Sequence, residues 1–321
     1  MFKRIISVAL SLIVLGSLIV FIASALRINA SLSDMKLQPS PNAAHKRVIL
    51  IAPELDTPYW KLLEQGARQQ AEQYGYLLQY TGPGRHDAAE QQRYLQKAIS
   101  SRPDAIIMQG LSAHEELIAE AKQKNITVVT VDTDAPQSKR IAYVGTDNAA
   151  AGKQLAELML ERIDSVSEIG VIIGSQEAQN QLARLQAFQD TVAELSEASI
   201  VDIRLSNISR LQAARMTVAM LEQHPSIDVI VGLSGLDAVG IVDGLDALDK
   251  QHVAVLGFDN LSNTEALIAE GRIIGSIVQQ PEIIGKQAIE VLYRYYNGGD
   301  YEVEDYVSTT VLTDFRLEDK P

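Results

Sequence analysis

The chain of 321 residues is long enough for two domains of ordinary size, and 46% hydrophobic with 21% charged residues is typical of a folded globular protein. Lys plus Arg number 28 against 41 Asp plus Glu, a net charge of −13, so the basic surface that grips a nucleic-acid backbone is not expected. Cysteine is absent, which excludes disulfides, thiolate metal sites and cysteine nucleophiles. The five His residues are scattered along the chain, which disfavours a histidine metal site as well.

The N-terminal segment predicts where the protein resides. Lys3 and Arg4 precede a charge-free run from Ile5 to Leu26. As a helix this run is about 33 Å long, enough to cross a hydrocarbon core of about 30 Å. It is either a cleaved signal peptide, with a small-residue site at 23–25 or 28–30, or a retained membrane anchor. Its length favours the anchor, and in both cases the two cations before it predict that the rest of the chain lies outside the cytoplasm.

Residues 1–30 are therefore the predicted signal peptide or anchor, and the proline-containing residues 31–46 are a predicted linker. From there onward, the short apolar run at residues 48–52 predicts a strand buried on both faces. Further strands are predicted at residues 76–80, 105–108, 127–131, 168–173, 200–205, 228–231, 252–256 and 273–278. The stretches between them predict helices, at residues 59–74, 88–100, 114–124, 149–163, 178–195, 209–222, 236–247, 262–270 and 281–296. Strands separated by helices predict right-handed βαβ units, and the two series predict two doubly wound parallel sheets.

Polar residues follow the predicted strands in an orderly way. In open α/β sheets, ligands bind beyond the carboxyl ends of the strands, so function is expected at these positions. They are residues 54–60, Gln109, Asp132, residues from Ser175 onward, residues 206–210, Ser234 and Asp259.

Two motifs that would indicate an enzyme or a nucleotide site are incomplete. The segment Gly145–Lys153 has six residues between its glycines where a phosphate loop has four, and Gln154 follows the lysine in place of Ser or Thr. A hydrolase elbow around Ser234 is also rejected, because Leu236 stands where its second glycine is needed. No enzymatic activity is predicted.

Six segments, taken in order, resemble the ribose-type family of periplasmic sugar-binding proteins. They are Asp56-Thr-Pro-Tyr-Trp60, Val131-Asp132, Gly145-Thr-Asp-Asn148, Ala183-Arg184 before Phe188, Leu256-Gly-Phe-Asp-Asn260 and Val278-Gln279-Gln-Pro281. The resemblance covers about residues 46–315 and implies a type I periplasmic binding protein clamshell, an α/β fold of two doubly wound lobes joined by a three-segment hinge. The implied N-terminal lobe is 47–147 plus 280–307, and the implied C-terminal lobe is 148–279 plus 308–321. The resemblance places the crossings between the lobes near residues 146–148, 279–280 and 307–309.

The same resemblance implies a sugar site in the cleft between the lobes. The implied ligand-binding residues are Thr57, Tyr59, Trp60, Gln109, Asp132, Thr133, Arg184, Ile208, Ser234, Asp259 and Gln279. Both Asp residues, Arg184 and Gln279 keep the family's residue, and Tyr59 and Trp60 fall on its aromatic positions. Thr57, Gln109 and Ser234 replace asparagines, Thr133 replaces an arginine, and Ile208 replaces an aromatic ring, so these departures leave the identity of the sugar open.

This set of residues suits the chemistry of a sugar. Carboxylates accept hydrogen bonds from sugar hydroxyls, Arg donates a planar fork, and aromatic rings cover C–H faces. Structural roles remain open beside the binding roles. Asp259 could cap the helix that follows it, Asp132 could belong to a turn, Arg184 could pair with a surface carboxylate, Trp60 could be core, and Gln279 could bond hinge backbone.

The function implied by the resemblance is non-enzymatic binding. The protein would close on a monosaccharide outside the cytoplasm and present it to the permease of an ABC sugar transporter. With the anchor retained, the alternative is a sensor domain that signals sugar occupancy to a histidine kinase or chemoreceptor. Transcription factors of the lactose-repressor type share the two-lobe core, but they carry a helix-turn-helix where this chain has an apolar run and a linker, so they are rejected. No cofactor and no metal are implied.

Overall fold

Two six-stranded sheets form the frame of the molecule. The computed structural model describes residues 45–176, 178–260 and 263–314, so the predicted signal peptide or anchor and most of the predicted linker lie outside the described residues. The strands are β1 Arg47–Ile51, β2 Leu77–Thr81, β3 Ala105–Gln109, β4 Thr127–Val131, β5 Ala142–Thr146, β6 Glu168–Ile173, β7 Ser199–Leu205, β8 Val229–Gly232, β9 Ala254–Phe258, β10 Gly275–Val278, β11 Glu304–Val307 and β12 Thr310–Thr313.

Helices cover both faces of each sheet, as expected for strands that are apolar on both sides. They are α1 Pro58–Gln73, α2 Ala88–Ser101, α3 Glu115–Gln123, α4 Asn148–Arg162, α5 Gln179–Leu195, α6 Arg210–Gln223, α7 Asp237–Ala247, α8 Thr264–Ala269 and α9 Pro281–Tyr296. Side-chain caps begin several of them, for example Asp147 at α4, whose carboxylate accepts from the backbone N–H of Ala150 at 2.9 Å. In the part of the chain that the structure describes, no helix is both long and apolar enough to cross a lipid bilayer.

The two sheets repeat one strand order. The N-terminal lobe has the order β11-β5-β4-β3-β1-β2, and the C-terminal lobe has the order β12-β10-β9-β8-β6-β7. Neighbouring strands are parallel except for β12, which runs antiparallel to β10. Strand β4 of one lobe therefore corresponds to β9 of the other, and β5 corresponds to β10.

The chain passes between the lobes three times. The first crossing, residues 146–148, leads from β5 to α4, whose Leu155 and Met159 lie in the core of the C-terminal lobe. The second crossing, residues 279–280, leads from β10 back to α9 in the core of the N-terminal lobe, and the third, residues 307–309, joins β11 to β12. The predicted fold of two doubly wound lobes with a three-segment hinge is confirmed.

Helices α1 and α9 approach each other unusually closely in the N-terminal lobe. A Cβ atom added at Gly66 would lie 1.9 Å from the carbonyl oxygen of Glu282, and one added at Gly285 would lie 2.0 Å from that of Leu63. Glycine at both positions lets the two backbones touch, which brings the start of α9, just after the second crossing, against α1.

Three strands, β5, β11 and β12, were not predicted from the sequence. Strand β5 contains Gly145, and the segment around it was interpreted only as a crossing between lobes. Strands β11 and β12 lie at sheet edges, where residues such as Glu304 and Thr310 face solvent, so neither shows a continuous apolar run. Strand β9 begins at Ala254, two residues later than predicted.

Candidate functional site

A cavity of about 260 Å³ lies between the lobes at the carboxyl ends of both sheets. This volume falls just below the range of about 300–1,000 Å³ that is typical of pockets for drug-sized ligands, so the cavity suits a smaller molecule. Ten of the eleven residues predicted from the sequence line it, and Thr133 is the exception. They are Thr57, Tyr59, Trp60, Gln109, Asp132, Arg184, Ile208, Ser234, Asp259 and Gln279.

Two buried carboxylates enter the cavity from equivalent places in the two lobes. Asp132 follows β4 and Asp259 follows β9, and both adopt the left-handed conformation, with φ of 64° and 62°. The backbone N–H of Asp132 donates to the Val144 carbonyl of β5, and that of Asp259 donates to the Ile277 carbonyl of β10. The repeated strand order therefore produces a matched pair of carboxylates facing one cleft.

Hydroxyl groups of the neighbouring strands hold this backbone conformation in place. The Tyr143 hydroxyl donates to the carbonyl of Asp132 at 2.9 Å, and the Ser276 hydroxyl donates to the carbonyl of Asp259 at 2.7 Å. Left-handed φ is uncommon for residues other than glycine, although Asp and Asn tolerate it best. Such strain is characteristic of functional sites, where the surrounding structure over-determines the backbone.

The carboxylate of Asp132 is bonded within the N-terminal lobe. Gln109 Nε2 donates to its Oδ2 at 2.9 Å, and the Thr133 hydroxyl donates to the same oxygen at 3.3 Å. Gln109 Nε2 also lies 3.2 Å from the Thr133 hydroxyl. Thr133 therefore lies behind Asp132 and Gln109, and the structure places it in contact with them and not with the cavity.

Arg184 lies at the floor of the cavity, where it is only 2% exposed. Its Nε donates to Asn148 Oδ1 at 2.8 Å, Nη1 to the Leu233 carbonyl at 3.1 Å, and Nη2 to Gln279 Oε1 at 3.0 Å. The guanidinium carbon stands 3.7 Å from the centre of the Phe258 ring, a cation–π contact. Since a guanidinium has five N–H groups, donors on both terminal nitrogens remain for a ligand.

Asp259 is held by the hinge residue Gln279. The Gln279 Nε2 atom lies 3.1 Å from both carboxylate oxygens, and its backbone N–H donates to Oδ1 at 3.3 Å. Burial raises the pKa of the Asp259 carboxyl, while Arg184 and the Gln279 hydrogen bonds act in the opposite direction. Helix α8 begins later, at Thr264 with Asn263 before it, so Asp259 does not cap that helix.

An aromatic wall closes the side of the cavity that belongs to the N-terminal lobe. The rings of Tyr59 and Trp60 meet edge to face, with centroids 6.0 Å apart, at the start of α1. Trp60 also belongs to the core of this lobe, so the same side chain packs in the core and forms part of the cavity wall. The pKa of the Tyr59 hydroxyl is raised by burial first and by Asp132 and Asp259 second, so this hydroxyl stays protonated and able to donate.

Four buried polar atoms of cavity-lining residues have no hydrogen-bond partner among the described residues. They are the Thr57 hydroxyl, the Tyr59 hydroxyl, Gln109 Oε1 and the Ser234 hydroxyl. Buried polar groups without a partner are costly, and native proteins rarely keep them without a purpose. These atoms are suited to bind the hydroxyl groups of a ligand.

The C-terminal lobe supports its side of the cavity with a buried carboxylate that sequence reasoning missed. Asp237, in the first turn of α7, accepts from the Ser206 hydroxyl at 2.6 Å and from the Ser234 backbone N–H at 2.9 Å. Burial raises the pKa of the Asp237 carboxyl to about 6. Asp237 thereby anchors the loop that carries Ser234.

Ile208 reaches the cavity from a strained turn. Asn207 and Ile208 both have φ of 54°, which is a genuine outlier for a β-branched residue. Nearby, Gln181 holds the turn after β6 by accepting from the backbone N–H groups of Gly174 and Ser175 at 2.7 and 3.0 Å. Gln181 was not predicted, since a single glutamine in an amphipathic helix carries no signal of this role.

The sequence prediction also missed Tyr143, Thr146 and Asn148, which bond site residues or the hinge, and the cavity-lining His86, Leu111 and Asn180. Asn148 belongs to the segment interpreted as a crossing, and that segment was the only signal available for it. Among the residues that the structure describes, no group of three or more His, Asp and Glu side chains is arranged to hold a metal ion.

The chain is similar to known proteins both in sequence and in structure. Residues 48–300 match the family described as periplasmic binding protein domain. The ribose import binding protein RbsB of Escherichia coli (strain K12) is 24% identical over 264 residues, which cover 81% of this chain and 88% of RbsB. The crystal structure of GanP, a glucose-galactose binding protein from Geobacillus stearothermophilus, is 35% identical with a TM-score of 0.82 and covers 86% of this chain and 99% of GanP. A chain of the XylFII–LytSN complex is 27% identical with a TM-score of 0.78, covering 84% of this chain and 98% of that one.

Proposed function

The chain belongs to the periplasmic binding protein domain family, and from this premise we propose that it binds a monosaccharide between its lobes, outside the cytoplasm, and presents it to an ABC sugar transporter. The resemblance to ribose-type sugar-binding proteins that the sequence indicated is confirmed. RbsB and GanP are named for ribose import and for glucose–galactose binding, which supports a small sugar as the ligand.

The observation that carries the proposal is the composition of the cavity wall. Carboxylates from both lobes, Asp132 and Asp259, line the same cavity as the guanidinium of Arg184, and the aromatic side chains Tyr59 and Trp60 line one side. A sugar presents hydroxyls that donate and accept around a ring with weakly apolar C–H faces, and this wall complements both features. The unpartnered atoms of Thr57 and Gln109 would complete the contacts to hydroxyl groups.

Closure of the lobes would be the signal that a membrane partner reads. Because the ligand groups are divided between the lobes, a sugar that touches both sets binds the closed arrangement more tightly than an open one. The three crossings would absorb the movement while each lobe remains rigid. Binding would proceed without catalysis, since the cavity-lining Ser234 is supported through its backbone by Asp237 and not by a histidine.

A thermal-shift screen tests the proposal directly. Pentoses, hexoses and polyols are each added to the purified protein, and unfolding is followed with temperature. A ligand at 100 times its dissociation constant adds about 2.7 kcal/mol to the free energy of unfolding, which is easily measured. Isothermal titration then gives the affinity of each hit. No shift with any member of the panel would contradict monosaccharide binding.

A second candidate concerns the partner. Similarity to a chain of the XylFII–LytSN complex, together with the apolar run from Ile5 to Leu26, favours a membrane-anchored sensor domain that assembles with a second protein such as a histidine kinase. Cross-linking in native membranes followed by mass spectrometry separates a permease partner from a kinase partner. Sequencing the N-terminus of the native protein tests the anchor: a start near Met1 supports it, and a start near Leu26 or Ser31 shows cleavage.

A further inference from the structure

Hydrogen bonds at the hinge lead from the first crossing to the carboxylate of Asp259. The Thr146 hydroxyl, in the first crossing, donates to Gln279 Oε1 in the second crossing at 2.9 Å. The Gln279 side-chain amide in turn donates to the carboxylate of Asp259, with both oxygens 3.1 Å from Nε2. The bond between Thr146 and Gln279 bridges the two crossings directly, and Arg184 connects them a second time through Asn148 and Gln279.

The side chain of Gln279 is fully occupied by the protein. An amide oxygen has two lone pairs, and Gln279 Oε1 accepts from the Thr146 hydroxyl and from Arg184 Nη2. Its Nε2 faces the carboxylate of Asp259. Although Gln279 lines the cavity, its oxygen therefore has no lone pair left for a sugar hydroxyl.

We propose that Thr146 and Gln279 are positioning residues that couple ligand binding in the cleft to the position of the hinge. The inference rests on the proposed binding of a small ligand by this cleft. The oxygen of Gln279 is bonded to Thr146 in the first crossing and to Arg184, and its nitrogen is bonded to Asp259. A change in the relative position of the two crossings would therefore move Gln279, and with it the side chains of Asp259 and Arg184. The bond stabilises the arrangement of the lobes in which Asp132, Arg184 and Asp259 are all buried.

A substitution at Thr146 tests this coupling without changing any residue that lines the cavity. It is 2% exposed and is not among the residues that line the cavity. The variant Thr146→Val keeps the shape and the β-branched side chain but removes the hydroxyl, and Thr146→Ser keeps the hydroxyl. Thr217→Val is the matched control, because the Thr217 hydroxyl is equally buried but donates within α6, to the Ala213 carbonyl at 2.9 Å.

The distance between the lobes can be measured by pulsed electron paramagnetic resonance. Since the chain has no cysteine, spin labels attach only to two introduced ones, at the exposed positions Arg93 on α2 and Arg215 on α6. The proposal expects Thr146→Val to lengthen and broaden the inter-lobe distances in the absence of sugar. It also expects a rise of about fivefold in the dissociation constant of any sugar that the wild type binds, the factor for one net hydrogen bond.

Thr146→Ser should behave as the wild type does, and Thr217→Val should lower only the thermal stability. Distances and affinity in Thr146→Val that match those of Thr217→Val would overturn the proposal. Should Thr146→Val fold poorly, Thr146→Ala removes the same hydroxyl with no added methyl group and is measured in its place. If the wild type binds no sugar, only the proposed function is contradicted. The inter-lobe distances measured without sugar still show whether the Thr146 hydroxyl sets the position of the hinge.

Discussion

Replacing Asp259 by asparagine removes one cavity charge with minimal change of shape. Both carboxylate oxygens lie 3.1 Å from Gln279 Nε2, so the asparagine oxygen would keep one acceptor for this donor, and the NH₂ group would turn toward the ligand. Asparagine adopts left-handed φ as readily as aspartate, so the backbone at 62° adds no cost. The variant therefore tests charge and hydrogen bonding alone.

We expect Asp259→Asn to weaken the binding of the sugar. A hydrogen bond to a charged group contributes about 1.5–3 kcal/mol, so Asp259→Asn should raise the dissociation constant for the sugar by roughly 10- to 150-fold. Isothermal titration with the sugar found by the thermal screen measures this change. The exposed Asp246, paired with Arg272 at 2.5 Å, offers the matched control Asp246→Asn, which should leave affinity unchanged.

Stability without ligand should be equal or higher in Asp259→Asn. Burial raises the pKa of Asp259, so in the folded protein the charged form is disfavoured relative to the unfolded chain. A carboxyl with a raised folded pKa stabilises the fold less as pH rises, and at neutral pH its ionisation is a cost that asparagine removes. Wild-type affinity in the variant, or a fall in stability of about 2 kcal/mol or more by urea denaturation, would refute this reasoning.

Three further predictions test helix packing, pH dependence and closure. Gly66→Ala should lower the free energy of unfolding by about 1–3 kcal/mol, because its Cβ meets the Glu282 carbonyl, whereas Gly84→Ala enters open space and should stay within about 0.5 kcal/mol. With the Asp237 pKa raised to about 6 from 3.8, the wild type should lose roughly 2 kcal/mol of stability relative to Asp237→Asn between pH 4 and pH 7, measured by urea denaturation at both pH values; a constant difference would contradict this. Small-angle scattering should show a smaller radius of gyration with the bound sugar, and an unchanged radius at saturation would argue against closure.

The buried elements could be predicted from the sequence because their signal is local. A strand covered by helices on both faces is a continuous apolar run, as in Val48–Ile51, and a helix with one buried face repeats apolar residues every three or four positions, as α1 does with Trp60, Leu63 and Ala67. Edge strands β11 and β12 are half exposed, so their composition resembles that of loops. They join the sheets only because β5 and β10 are there to pair with them.

The candidate site divides in the same way. Residues that face the cavity directly, such as Asp132 and Asp259, could be predicted because each follows a strand whose carboxyl end was recognisable. The contacts that hold them could not. Gln109 and Gln279 were predicted as ligand-binding residues, but nothing in the sequence indicates that Gln279 meets Thr146, 133 positions away in the chain.

The sequence by itself determined most of the buried strands and helices, their parallel arrangement in two sheets and the polar side chains that follow the strand ends, since these follow from apolar periodicity and from the order of the elements. Only the tertiary structure decided that Thr133 lies behind Asp132, and that the oxygen of Gln279 is already bonded by Thr146 and Arg184. The physical reason is the separation along the chain over which each signal acts. Periodicity is a property of neighbouring residues, whereas a hydrogen bond forms wherever packing brings a donor and an acceptor to about 3 Å, however far apart they are in the chain.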